Sequence, residues 1–196
     1  MKNIEIKKLS KSFGEKKVLD SLDLTLPHGE ISCIMGESGC GKSTLAKILM
    51  GIFEADGGAI DGLPTKISAV FQEDRLCEDF SAVTNVKIAA ARGVSRSQID
   101  EDFAALALCG EQKKPARELS GGMRRRVALI RAMRADAELI ILDEPFAGLD
   151  EQTHAAAAEY VKNTRGSRTV IVVTHDTGDA ELLDAVQTVR LRAPSY

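Results

Sequence analysis

Apolar positions along the chain form short runs that alternate with longer segments of helical periodicity. Residues 4–9 alternate apolar and polar side chains, which predicts a half-buried strand. Residues 30–35, 139–142 and 169–173 are nearly continuous apolar runs, which are typical of strands buried on both faces. A last strand is predicted near residues 186–191. Since helical patterns separate the later strands, the sequence predicts an α/β fold with a mainly parallel sheet.

Apolar spacing predicts helices over residues 43–50, 121–135 and 151–163. Residues 81–118 differ, because they hold two successive helical patterns with no strand between them. These patterns cover residues 83–91 and 97–108, with Ser95 and Gln98 as a capping box and Gly110 as a helix stop. We therefore expect one domain over residues 1–196. Its core lobe comprises residues 1–76 and 119–196, and a helical subdomain of about residues 77–118 is inserted between them.

Composition narrows the class of protein. The 196 residues suffice for one substantial domain, and the formal net charge of -3 gives no general attraction for nucleic acid. The four cysteines are Cys33, Cys40, Cys77 and Cys109. Their wide spacing along the sequence argues against a zinc site. The first residues lack the apolar stretch of a signal peptide, and no apolar run approaches the ~20 residues that cross a bilayer. We expect a cytoplasmic protein with reduced thiols, which reaches a membrane only by docking to another subunit.

A glycine-rich segment between a predicted strand and a predicted helix carries the clearest chemistry. It matches the phosphate-loop pattern G-x-x-x-x-G-K-[ST], with the residues Gly36, Glu37, Ser38, Gly39, Cys40, Gly41, Lys42, Ser43 and Thr44. Glycines let the backbone curl so that its N–H groups face an anion, and the helix that follows adds a positive N-terminal end. Lys42 supplies a charge to the β- and γ-phosphates, and the Ser43 hydroxyl suits Mg²⁺. The alternative is a plain turn between strand and helix.

Two acidic residues follow the apolar run at 139–142. Because α/β ligand sites lie at the carboxyl ends of the strands, Asp143 is placed to hold Mg²⁺ directly or through water. Glu144 points to a different face and is a candidate general base for the attacking water. The alternative is a solvated turn, which is common for an Asp-Glu-Pro sequence. The phosphate loop favours the catalytic interpretation.

The segment Leu119-Ser120-Gly121-Gly122-Met123 and the motifs around it resemble the ATP-binding-cassette family, in the family's order and over nearly the whole chain. The resemblance implies a P-loop NTPase core that binds and hydrolyses ATP with Mg²⁺. It places Phe13 against adenine, Gln72 in the Q-loop as a catalytic residue and metal ligand, Asp150 in the D-loop, and His175 as the switch histidine. It also implies a head-to-tail dimer, in which Ser120, Gly121 and Gly122 contact ATP bound to the other copy.

Each of these residues also has a plain structural interpretation. Phe13 alone would be a core aromatic, Gln72 a polar loop residue, His175 a hydrogen-bonded edge histidine and Asp150 a helix cap. We expect the Cys40 thiol to be accessible near the nucleotide, as a chemical handle. A basic cluster follows the signature and consists of Arg124, Arg125, Arg126, Arg131 and Arg134. Such a cluster suggests a nucleic-acid patch, but the net charge of the chain favours a solvated helix face.

The sequences of the motifs at residues 71–76, 119–123 and 144–150 resemble those of bacterial importers of nitrate, sulfonates, taurine and related small solutes. This implies transmembrane permease subunits as partners at the inner face of the membrane, indirectly a solute-binding protein, and no nucleic acid. The alternatives are an exporter or lipid-extrusion ATPase, and a soluble cassette ATPase acting on nucleic acid or ribosomes.

Three features depart from that branch. Residues 52–68 are compressed, so we expect a trimmed antiparallel β region. Residues 77–80 read Cys-Glu-Asp-Phe where the branch often has a Trp. The sequence ends soon after the last predicted strand, so we expect no C-terminal regulatory domain and no regulation by solute within this subunit.

Overall fold

The computed structural model describes residues 2–194 and contains two sheets. The strands are β1 (Ile4–Phe13), β2 (Lys16–Leu26), β3 (Ile31–Met35), β4 (Gly57–Asp61), β5 (Ile67–Val70), β6 (Leu139–Asp143), β7 (Thr169–Val173) and β8 (Gln187–Arg190). The helices are α1 (Lys42–Leu49), α2 (Ala82–Lys87), α3 (Arg96–Ala105), α4 (Gly121–Arg134), α5 (Glu151–Thr164) and α6 (Asp179–Leu182), with a short 3-10 helix at Ala116–Glu118.

The larger sheet is parallel and has the strand order β5-β6-β7-β3-β8. Its central strands are buried on both faces, and successive side chains enter two different cores. On β6, Leu139 and Ile141 belong to the core shared with α1 and the smaller sheet, whereas Ile140 and Leu142 belong to the core beneath α4 and α5. This double burial explains the continuous apolar runs, and it confirms the predicted α/β fold with a mainly parallel sheet.

The smaller sheet is antiparallel, with the order β2-β1-β4. The prediction for this region was incomplete, because β1 continues to Phe13 and β2 was not predicted. Register shifts interrupt the β1–β2 ladder, and Lys8 and Ser21 adopt left-handed φ values of 51° and 48°. Bulges of this kind break the two-residue alternation on which strand prediction depends. The compressed segment contributes only the short strand β4 to this sheet, so the sheet is small, as expected.

Between the Q-loop segment and the signature, the chain forms α2, α3 and the 3-10 helix. The predicted capping box is confirmed, since Gln98 N donates to Ser95 Oγ and Ser95 N donates to Gln98 Oε1. Both helices end before their predicted limits of residues 91 and 108, so Gly110 does not terminate α3. The division into a core lobe and a helical subdomain stays a prediction. Within residues 2–194, no helix combines the length and the apolar content that would let it span a bilayer.

Candidate nucleotide-binding site

The phosphate loop connects β3 to α1, and its conformation requires glycine at two points. Gly36 has φ 150°, and a Cβ there would lie 2.4 Å from the Leu191 carbonyl oxygen. Gly41 has φ 103°, and a Cβ there would lie 2.8 Å from Leu19 Cδ2. Gly41 also precedes α1, which no side chain of residues 2–194 caps. The first N–H groups of α1 are therefore available to an anion.

Lys42 and Ser43, the first residues of α1, have different hydrogen-bond partners. The Lys42 ammonium group donates to the carbonyl oxygens of Gly36 at 2.7 Å and Glu37 at 3.0 Å. Ser43 Oγ donates to Asp143 Oδ1 at 3.3 Å. The loop thus holds a cation at its centre and joins a hydroxyl to the carboxylate at the end of β6.

Asp143 is buried, and its environment opposes its negative charge. Burial raises the pKa of the Asp143 carboxyl and the neighbouring Glu144 raises it further, while the Ser43 hydrogen bond and the charges of Lys47 and Lys42 lower it. The largest of these effects is burial. A further positive charge beside Asp143 would therefore favour its ionised form.

Glu144 and His175 form a pair at the edge of the parallel sheet. Glu144 has a left-handed φ of 50°, and its backbone N–H donates to the Val173 carbonyl oxygen at 2.8 Å. In this sparsely populated conformation the Glu144 side chain contacts His175, which lies just beyond the end of β7. His175 Nδ1 lies 2.9 Å from both carboxylate oxygens of Glu144. The hydrogen bond to this carboxylate, aided by its charge, raises the pKa of the His175 imidazole above its usual value.

The raised pKa of His175 gives a testable titration. We expect its protonation midpoint to lie above the ~6.5 of an ordinary histidine, and the Glu144→Gln variant to return it toward that value. The pairing stabilises the folded state fully below the ordinary pKa and loses that contribution as pH rises through the raised one. Because the His175 side chain is exposed, this contribution to stability is small.

The measurement is an NMR titration of the imidazole protons, with His175→Gln used to assign the resonance. Glu101→Gln, which removes a surface carboxylate on α3, is the control and should leave the midpoint unchanged. An unshifted midpoint in Glu144→Gln would contradict the pairing.

Many of the predicted residues line one cleft of about 690 Å³. Its lining includes Phe13, Gln72, Glu144 and His175 together with most of the phosphate loop. Phe13 is not a core aromatic, because 46% of its surface is exposed and its ring makes an edge contact with Phe53, with centroids 5.5 Å apart. The cleft thus has an aromatic rim, a cationic loop and a carboxylate–histidine pair.

Two lining residues on β2, Lys16 and Val18, were missed by the sequence analysis. They were missed because β2 itself was not predicted. The Gly14-Glu15 pair after Phe13 was the available signal, since it forms the hairpin turn that places Lys16 opposite Phe13 in the antiparallel ladder. Lys16 adds a second cationic side chain to the cleft.

The signature residues and Asp150 lie outside the lining of this cleft. Ser120 caps α4 by accepting from Met123 N at 3.3 Å, and Asp150 caps α5 by accepting from Thr153 N at 2.9 Å. A Cβ on Gly122 would lie 3.4 Å from Leu149 Cδ2, so the signature and the D-loop segment are neighbours. Within one copy of the chain, the signature therefore lies beside the D-loop segment and not in the lining of the nucleotide cleft.

The expectation of an accessible Cys40 thiol is wrong. Cys40 is only 2% exposed and belongs to the core between α1 and the smaller sheet. The tight turn of the loop directs its side chain inward, where Cys40 Sγ occupies the space beside Gly36. Cys40 is therefore part of the packing beneath the loop and offers no chemical handle at the nucleotide.

The expectation that the arginines of α4 form a solvated face is also wrong. Arg125 is buried, and the guanidinium groups of Arg125, Arg126 and Arg131 donate to backbone carbonyl oxygens. Arg134 pairs with the buried Asp102 of α3 through two bonds of 2.6 Å. Apolar periodicity identifies the helix but does not show which long cationic side chains fold back onto the protein.

Comparison with known proteins identifies the family to which this chain belongs. Residues 19–147 match the ABC transporter family. The chain is 38% identical over 187 residues to the aliphatic sulfonates import ATP-binding protein SsuB 2 of Rhodococcus jostii, covering 90% of this chain and 74% of that protein. It is 37% identical over 190 residues to SsuB 3 of Paraburkholderia xenovorans, covering 95% of this chain and 76% of that protein.

A dimeric bacterial ABC transporter cassette of known structure is also similar to this chain. It superposes with a TM-score of 0.83 at 28% identity, over 96% of this chain and 94% of that one. The chain belongs to the ABC transporter family. It is an ATP-binding subunit that hydrolyses ATP.

Proposed function

We propose that this chain hydrolyses ATP to drive the import of an aliphatic sulfonate or a related small solute through a separate membrane permease. The observation that carries the ATP chemistry is the single cleft shared by Lys42, Gln72, Glu144 and His175. The solute class is supported by the relatives, which are named as aliphatic sulfonate importers and align along most of this chain.

Within the cleft, the side chains have separate roles in binding ATP. Lys42 and the N–H groups of the loop bind the phosphates, and Phe13 stacks on adenine, consistent with its exposed ring at the rim. The neighbouring Ser38, Gly39 and Thr44 line the same cavity. Their contacts orient the triphosphate so that its terminal phosphate faces the Glu144–His175 pair.

Ser43, Gln72 and Asp143 are the proposed holders of Mg²⁺. Their oxygen atoms are the hard donors that this cation prefers, and Ser43 Oγ is already 3.3 Å from Asp143 Oδ1. The raised pKa of the buried Asp143 fits a site completed by a cation. When bound, Mg²⁺ neutralises charge on the phosphates during their transfer.

Glu144 is the proposed general base, and His175 is the proposed positioning group. A carboxylate beside the terminal phosphate can accept a proton from the attacking water, provided that its orientation is fixed. The contact of both Glu144 oxygens with His175 Nδ1 supplies that orientation. The exposed His175 ring also lines the cleft, where it can donate to the terminal phosphate.

The active unit is proposed to be a head-to-tail dimer. Ser120, Gly121 and Gly122 begin α4, so they offer N–H donors and a helix N-terminus to a phosphate, yet they lie outside the cleft of their own chain. Twofold pairing of two copies would bring each signature to the partner's ATP, with Asp150 near the shared boundary. ATP then closes the dimer, and hydrolysis opens it.

The membrane partner is proposed to dock near Gln72 and the helical subdomain of about residues 77–118. Exposed apolar side chains at Phe80 and Ile88 in this region are consistent with such a contact. This arrangement places the chain at the cytoplasmic face of the membrane. A solute-binding protein would deliver the solute to the opposite face.

Uptake and co-purification test the proposal together. Cells lacking this chain are expected to lose ATP-dependent uptake of a labelled alkanesulfonate, and the wild-type chain should restore it while Glu144→Gln should not. The tagged chain should co-purify from detergent-solubilised membranes with a multi-span protein. Recovery with ribosomes or DNA, or unchanged alkanesulfonate uptake in the deletion strain, would contradict the import assignment.

A further inference from the structure

Two arginines of α4 bind the backbone that carries Gln72. The guanidinium group of Arg125 donates to the carbonyl oxygens of Phe71 at 2.7 Å and Gln72 at 2.6 Å. The guanidinium group of Arg131 donates to the carbonyl oxygens of Asp74 at 2.9 Å and Arg75 at 2.7 Å. We call Arg125 and Arg131 the arginine clamp, because each donates hydrogen bonds to two neighbouring carbonyl groups.

Charge reinforces these backbone contacts. The Asp74 carboxylate lies 3.3 Å from Arg125 Nε and 3.8 Å from Arg124 Nε. Burial raises the pKa of Asp74, while Arg125, Arg124 and Arg131 oppose that rise in this order. The segment is therefore attached to α4 through both its carbonyl groups and a poorly solvated carboxylate.

The arginine clamp binds the chain just beyond the end of the β5–β6 hydrogen-bond ladder. The β5–β6 ladder ends with the pair Val70 and Leu142, and Gln72 lies just beyond it, at the lining of the nucleotide cleft. Carbonyl groups beyond a ladder need other donors when they are partly buried. The arginine clamp supplies these donors and thereby fixes the backbone from which the Gln72 side chain extends.

We propose that Arg125 and Arg131 are positioning residues, which hold the Gln72 side chain at the correct place relative to the metal and the terminal phosphate. This inference rests on the proposed function, in which Gln72 contacts Mg²⁺. A misplacement of about 1 Å by a residue remote from the chemistry can cost on the order of 100-fold in rate. Arginine suits this task because its planar fork binds two acceptors at once, which the single ammonium group of lysine does not reproduce.

A double-mutant cycle on the full-length chain tests the clamp. Arg125→Met removes the donors while keeping much of the apolar stem, and Gln72→Ala removes the side chain that the clamp is proposed to position. We expect Arg125→Met to lower kcat about tenfold or more and to raise the Mg²⁺ concentration for half-maximal ATPase rate, with unchanged affinity for ATP measured without Mg²⁺. In the Gln72→Ala background, the same substitution should cost less than about twofold. Arg125→Lys should recover part of the rate.

Arg168→Met is the matched control. Arg168 is another partly buried arginine, and it donates to the carbonyl oxygens of Met133 at 2.7 Å and Arg165 at 2.8 Å and to that of Thr164, away from the cleft. Its loss should lower the urea midpoint of unfolding much as Arg125→Met does, while kcat and the Mg²⁺ dependence stay at wild-type values. Should Arg125→Met fail to fold, Arg131→Met enters the same cycle.

The outcomes separate the inference from the proposed function. An equal loss of kcat from Arg125→Met with and without the Gln72 side chain would overturn the inference and leave the ATPase assignment intact. A wild-type rate and Mg²⁺ dependence in Gln72→Ala alone would overturn both the proposed role of Gln72 and the clamp. Non-additive losses with a shifted Mg²⁺ dependence, absent from the Arg168→Met control, would support the clamp.

Discussion

Replacing Glu144 with Gln is expected to give a protein that binds ATP but turns it over about 100- to 10,000-fold more slowly, the range that a general base contributes. The amide keeps the size of the side chain and loses the proton acceptor. Because the phosphate loop is untouched, ATP affinity should be close to wild type. Bound, uncleaved ATP should then keep two copies together, so we also expect a dimer that depends on ATP.

Phosphate release measures the turnover of this variant, and size-exclusion chromatography with and without ATP measures its dimerisation. Glu101→Gln is the control, because it removes a carboxylate that bonds Ser97 on the surface of α3. It should behave as wild type in both assays. A Glu144→Gln protein with the wild-type rate would exclude Glu144 as the base and would indicate that another group activates the attacking water.

Replacing Lys42 with Ala is expected to weaken ATP binding about 10- to 100-fold, which corresponds to the ~1.5–3 kcal/mol of a charge-assisted hydrogen bond. Lys42 is the cation at the centre of the phosphate loop, where its Nζ now donates to the Gly36 carbonyl oxygen at 2.7 Å. A phosphate can replace such carbonyl acceptors and interacts more strongly with an ammonium group. The variant loses both the loop contacts and the charge.

Calorimetry with ATP in the absence of Mg²⁺ measures this affinity without catalysis. Lys47→Ala is the matched control, since Lys47 lies in the last turn of the same helix and its Nζ is 5.4 Å from the centroid of the Phe53 ring. Its affinity should stay within about twofold of wild type. Equal losses in the two variants would indicate a general electrostatic effect, and an unchanged Lys42→Ala would place the phosphates elsewhere.

The sequence predicted those parts of the site whose residues are close along the chain. The phosphate loop is one continuous segment, and its glycines, lysine and serine have fixed local roles. The central parallel strands were equally clear, because burial on both faces requires unbroken apolar runs such as residues 139–142. The edge strand β5 was not predicted, since it is short and mostly half-buried. Family resemblance added Phe13, Gln72 and His175, which no local pattern would have joined.

The antiparallel sheet shows where pattern-based prediction fails. β1 and β2 are long, but bulges at Lys8 and Ser21 move side chains out of alternation, so only residues 22–26 of β2 alternate regularly and the strand as a whole was not predicted. The missed strand carries Lys16 and Val18 to the cleft. Part of the lining of the nucleotide cleft was therefore not predicted, because strand pairing depends on contacts between residues that are distant in the sequence.

By itself the sequence determined the chemistry of this protein: a phosphate loop, a terminal carboxylate pair and a signature helix in an α/β order. Only the tertiary structure decided how the side chains are used. It buried Cys40 beneath the loop, paired Glu144 with His175, and turned Arg125 and Arg131 onto the Gln72 segment. Residue types and spacings are local properties, whereas burial and the choice of partner depend on which distant segments pack together.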